Sequence, residues 1–133
     1  MTAIQIPEPV SRNSVVMTDD AEVVLRRYGN LSAPRIILSH GNGCAIDGYF
    51  PYWARLLTDF EVVVFDFRNC GVNPIHDGDH GYARFLLDMT EIYDAIDRAF
   101  GRKPQIGAFH SMSARTNLKY ALDGRKRLDG LIV

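Results

Sequence analysis

Cysteine is nearly missing from this chain: Cys44 and Cys70 are its only two in 133 residues, too few for a disulfide framework. An excess of either charge is missing too. With 15 Lys and Arg against 16 Asp and Glu, the formal net charge is -1, which gives no basic footprint for nucleic acid and no acidic tail. No apolar run approaches the ~20 residues of a transmembrane helix. The start, Met1-Thr2-Ala3-Ile4-Gln5, lacks the basic stretch and apolar core of a signal peptide. These absences point to a reducing cytoplasm, with neither nucleic acid nor a membrane as partner.

What is present is an ordinary globular composition, 47% apolar and 23% charged. The length suits one domain with a real core and is too short for two. Residues 1 to 12, with Pro7 and Pro9, read as an extended lead-in. Ser14 to Thr18 and Glu22 to Tyr28 are strand-like, and Asp19-Asp20 turns one into the other. Arg35-Ile36-Ile37-Leu38-Ser39 and Glu61-Val62-Val63-Val64-Phe65-Asp66 are continuous apolar runs of the kind buried on both faces of a parallel sheet. The spacing of Tyr49, Phe50, Trp53, Leu56 and Leu57 predicts a helix over 49–58, with Pro51 in its first turn. Asn69 to Gly81 is a long polar loop, and Tyr82 to Phe100 carries a strong amphipathic pattern stopped by Gly101. Ile106 to Phe109 reads as a short strand, Ala114 to Leu122 as a helix, and Leu128 to Val133 as the start of another strand. This alternation predicts an α/β layer structure: a mostly parallel sheet with flanking helices and an N-terminal antiparallel hairpin. A last strand with no helix after it to cover its face suggests the N-terminal part of a larger domain.

Between the strand ending at Phe109 and the helix that follows there is room only for a sharp turn, with Ser111 at its apex. A serine so placed has its hydroxyl above the strand end and a helix N-terminus, with its free N–H groups, directly behind it. Strand, nucleophile, helix is the context that gives a G-x-S-x-G type motif its meaning. Here the flanking positions are Phe109 and Ser113, so the small residue is kept on one side only. Two further motifs fall at strand ends, where parallel sheets place their ligand sites: His40-Gly41-Asn42-Gly43 and Asp66-Phe67-Arg68-Asn69-Cys70-Gly71.

With these three motifs in this order, residues 14 to 133 resemble the α/β-hydrolase family. The resemblance implies an incomplete α/β-hydrolase core, with residues 1–133 as the N-terminal part of a single domain. It also implies a serine hydrolase of small ester, amide or related acyl substrates. Ser111 would be the nucleophile. The backbone N–H groups of Asn42 and Met112 would hold the oxyanion. His40, Gly41, Gly43, Asp66 and Arg68 would be structural around the site. Asn69 and Asn73 stand where the family often has glycine and serine. No cofactor and no metal are implied. The family's acid and base would follow Val133, because no histidine lies in residues 112 to 133. His40 is spent on its turn, and His110 should point away if side chains alternate along the strand.

Other readings stay open on the residues alone. Ser111 could simply cap the helix, and the glycines at 41 and 43 could serve only a tight turn. His76, Asp77, Asp79 and His80 could suggest a metal, but read more simply as a solvated loop. A Rossmann-like nucleotide site fails where a third glycine is needed, because that position is Ile46. The missing base and unfinished sheet also allow a catalytically incompetent module, its last strand covered by a second copy of the chain or by a complementing C-terminal segment.

Overall fold

The computed structural model describes residues 5–133, so the first four residues of the expected lead-in lie outside the described residues. Six strands form one mixed sheet: β1 (Ser11–Val16), β2 (Glu22–Gly29), β3 (Arg35–Ser39), β4 (Glu61–Phe65), β5 (Gln105–Phe109) and β6 (Gly130–Ile132), in the order β1-β2-β4-β3-β5-β6. β1 and β2 are the leading antiparallel hairpin, and β2 joins β4 antiparallel. From β4 through β3 and β5 to β6 all pairing is parallel. β4 is buried along its whole length, as its unbroken Val-Val-Val core requires of a central strand. No helix among the described residues is long and apolar enough to cross a membrane.

The helices divide between two faces. α2 (Tyr82–Phe100) and α3 (Met112–Leu122) cover one face, where Met89, Ile92, Ile96 and Tyr120 pack with Ile37, Val63 and Phe65. On the other face α1 (Phe50–Trp53) lays Trp53 against Tyr28, Val62 and Val64. The single helix expected over 49–58 is instead α1 between two 3-10 turns, Ile46–Tyr49 and Ala54–Leu56. Pro51, in the first turn of α1, has no N–H to donate to the preceding turn, so α1 does not extend back through Ile46–Tyr49. Burial of Trp53, whose indole N–H donates to the Ile46 carbonyl at 3.0 Å, holds the rest as tightened turns.

The strand order decides where a site can form. The chain leaves β3 toward β4 on one side and leaves β5 toward β6 on the other, so the connections diverge between β3 and β5. In open parallel sheets this divergence opens a crevice at the carboxyl ends of the strands. Ser39 lies opposite Phe109 in register, so the loops after β3 and β5 face each other across that crevice.

Candidate active site

Ser111 sits between β5 and α3 with φ 53° and ψ -110°, in the left-handed half of backbone space where a side chain is strained. Such a conformation costs on the order of 1–3 kcal/mol and persists only where its surroundings hold it. Ser113 supplies part of that hold. It is fully buried, and its hydroxyl both accepts from the His110 N–H and donates to the His110 carbonyl, each at 3.0 Å. The first helical bond, from the Arg115 N–H to the Ser111 carbonyl at 2.9 Å, closes the turn. The Ser111 side chain is exposed and makes no capping bond to its helix, so the cap reading fails for the hydroxyl.

Phe109 enters this turn without reshaping it. Its ring folds back into the space over Gly107, where any β-carbon would overlap the ring, and joins the core under α3. A bulky residue two places before the serine is tolerated because the residue two places before that has no side chain.

The loop after β3 comes up against the turn at Gly41. A β-carbon there would lie 3.1 Å from the Ser111 β-carbon and 3.1 Å from His110 Nδ1, so any other residue would have to push the serine turn back by a few tenths of an ångström. His40 is wholly buried, with both ring nitrogens engaged: Nδ1 with the Gly41 carbonyl at 2.8 Å, Nε2 accepting from the Phe67 N–H at 3.0 Å. The second bond places the ring proton on Nδ1, which donates to Gly41. The Cys44 N–H also bonds the Gly41 carbonyl, at 3.1 Å. In a trans peptide C=O and N–H point opposite ways. Pinning the Gly41 carbonyl therefore turns the Asn42 N–H to the other side. Among the described residues neither the Asn42 N–H nor the Met112 N–H has a hydrogen-bond acceptor. Gly43 completes the turn with φ 74°.

Asp66 and Arg68 bind other loops and not the serine. Asp66 accepts from the Ile46 N–H at 2.7 Å and the Val72 N–H at 3.3 Å, joining the loops after β3 and β4. Arg68 is buried and grips both oxygens of Asp88 on α2, at 2.7 and 2.8 Å, and both oxygens of Asp19 in the β1–β2 turn, at 2.6 and 2.9 Å. Asn73 donates to the Asp66 and Phe67 carbonyls and accepts from the Val24 N–H.

His110 departs from the expectation that it points away. It lies past the end of β5, in the turn itself, so strand alternation does not govern it. Its Nδ1 is 2.7 Å from the Tyr49 hydroxyl, which in turn accepts from the Gly41 N–H at 3.1 Å. Burial raises the Tyr49 phenol above its usual range, and Cys44 beside it adds to the effect. The sequence pattern assigned Tyr49 to a helix stripe, and no local signal could reveal a contact made across 61 residues.

His76 and His80 bond within their own loop, to Gly78. No group of three potential metal ligands occurs among the described residues. A groove of about 860 Å³ runs beside the crevice, lined by Leu38, Ala45, Tyr49, Tyr52, Ala108 and Ile132 among others. A smaller cavity of about 310 Å³ lies under α3, lined by Tyr93, Tyr120 and Leu131 among others.

No protein-family model and no curated protein matches the sequence. Solved structures do match the fold. A hydrolase from Pseudomonas aeruginosa PA01 aligns with a TM-score of 0.74 at 23% identity, over 92% of this chain and 44% of its own. An esterase from Rhodococcus sp. ECU1013 gives 0.76 at 19% identity, over 92% and 44%. An epoxide hydrolase from Mycobacterium thermoresistibile gives 0.70 at 20% identity, over 91% and 37%. The chain thus spans less than half the length of each of these structures. What it shares with them is architecture: this chain carries the α/β-hydrolase fold in part, as an incomplete core of mostly parallel sheet and flanking helices.

Proposed function

We propose that the protein containing this chain is a serine hydrolase of small ester, amide or related acyl substrates. The observation that carries this reading is an exposed hydroxyl on a strained turn that packs against the loop after β3 at Gly41, each of the two segments carrying a backbone N–H, of Met112 and Asn42, without an acceptor among the described residues. Ser111 attacks the substrate carbonyl. The N–H groups of Asn42 and Met112 receive the negative charge that develops on its oxygen, each such donor being worth on the order of 10²–10³ in rate. The tetrahedral adduct collapses by breaking the bond to the alcohol or amine, which leaves with the proton taken from Ser111. Water then attacks the acyl-serine, releasing the acid and returning the proton to the Ser111 hydroxyl. His40 and Tyr49 hold the loop that presents Asn42, and Asp66 and Arg68 hold the neighbouring loops.

A serine hydroxyl needs a base to take its proton. None of the described histidines or carboxylates is hydrogen-bonded to Ser111, so the base and its acid are assigned to the part of the protein beyond Val133. The same observation favours a second reading, a catalytically incompetent relative that uses the crevice or the outer strand for binding or dimerisation. Turnover of p-nitrophenyl acetate and butyrate by the full-length protein separates the two. The hydrolase reading expects activity that falls to background in Ser111→Ala. An inactive wild type, or undiminished activity in Ser111→Ala, overturns it.

A further inference from the structure

The Tyr49 hydroxyl touches both walls of the crevice. It accepts from the Gly41 N–H at 3.1 Å and lies 2.7 Å from His110 Nδ1, beside the serine turn. The two rings are in contact as well, with centroids 5.6 Å apart. A phenol has one proton to give and lone pairs to receive with. Gly41 takes one lone pair, and the direction of the Tyr49–His110 bond follows the tautomer of His110; in either sense it ties the loop after β3 to the serine turn. The Gly41 residue is therefore fixed at both ends: its N–H by Tyr49 and its carbonyl by His40 and the Cys44 N–H. Both of the peptide planes that flank Gly41 are held, and the second of them contains the Asn42 N–H.

We propose that Tyr49 is a positioning residue: bridging Gly41 to His110, it locks the loop after β3 at a fixed distance from the serine turn and so aims the Asn42 N–H. The inference rests on the serine-hydrolase reading and deepens it. A donor contributes to the transition state only if it is already aimed when charge appears. Without the phenol oxygen the Gly41 N–H turns to water, and the loop keeps its carbonyl anchors but loses its link to β5.

Tyr49→Phe in the full-length protein keeps the ring and removes the strut. His110→Ala, at an exposed side chain, breaks the same strut from the other end. With p-nitrophenyl butyrate, Tyr49→Phe is expected to lower kcat by about tenfold to a hundredfold with KM unchanged within about twofold. The double variant should be no worse than Tyr49→Phe alone, because both remove one interaction. Exchange of the Gly41 amide with deuterium should speed up about tenfold or more while the melting temperature stays put. Unchanged kcat and unchanged Gly41 exchange in Tyr49→Phe overturn the inference, as does a rise in KM that accounts for the whole loss. Absence of Ser111-dependent turnover in the wild type overturns the underlying reading instead, and the positioning role of Tyr49 with it.

Discussion

Phe109 and Gly107 share one face of β5, and the ring of the first fills the space left by the second. Two places before Ser111 on a cramped turn, a phenyl ring pointing forward would obstruct. The ring instead lies over Gly107, on the same side of β5, and is buried. The two positions form a swap of bulk along one strand face, and the period of two that relates them was readable from the start. Their partnership was not, because nothing local says whether a ring folds forward over the turn or back along the strand. Gly107→Ala should destabilise the protein by about 1–3 kcal/mol through overpacking. Adding Phe109→Ala should make the double variant more stable than the sum of the two single losses, since each change relieves the other. Urea melts of the four proteins measure the coupling, and strict additivity would show that the ring does not use the space over Gly107.

At the scale of elements, burial pattern and punctuation served where a segment is regular, and failed where side chains at a distance choose its shape. α2 ran from Tyr82 to Phe100 and stopped at Gly101, as its apolar stripe and its glycine required. The segment after Gly43 had helical spacing too, yet Pro51 and the seat of Trp53 broke it into short turns. The Asp66 and Arg68 motif was legible as a tether, but not what it tethers. Arg68 draws the loop after β4, the β1–β2 turn and α2 together through Asp19 and Asp88. Asp88→Ala should destabilise by about 3–5 kcal/mol, because it strips a buried guanidinium of its best-buried partner. Replacing both partners, Arg68→Met together with Asp88→Leu, should cost less than that, since neither buried charge is left without the other.

Acid should loosen the same junction. The Arg68 guanidinium, hydrogen-bonded to Asp19, holds that carboxyl well below the usual carboxylate range, and Arg84 adds to the pull. A carboxyl whose folded pKa lies below its unfolded value of about 3.9 contributes stability that is fully present above that value. The contribution drains away as pH falls further. The stability gap between the wild type and Asp19→Asn should therefore be constant from pH 7 to about 5 and shrink toward pH 2. A gap that stays constant to pH 2, or grows with acid, would contradict the linkage.

On the scale of the whole molecule, the strand order is what makes a site of the three motifs. Alternation of strands and helices was enough to foresee a mostly parallel sheet, and the motifs were enough to place loops at its carboxyl end. Which strands are neighbours was not legible, since pairing of β3 with both β4 and β5 depends on contacts far apart in the chain. That order sets Gly41 against Ser111 where the connections diverge. On the outer side of β6 no strand pairs among the described residues, and Ile132 and Val133 are 58% and 70% exposed there. An open, apolar edge is a template for further pairing. The 133-residue chain produced alone is expected to self-associate, and light scattering checks it: a well-behaved monomer with one cooperative melt would count against an uncovered edge.

The central claim is chemical, that the hydroxyl at residue 111 is an activated nucleophile facing two aimed amides. Its most direct test is to treat the full-length protein with a fluorophosphonate and map the adduct by peptide mass. The account predicts one phosphonylated peptide carrying the label on Ser111, with labelling abolished in Ser111→Ala and surviving in Cys44→Ala. A label on another residue, or none on a folded wild type, would contradict it.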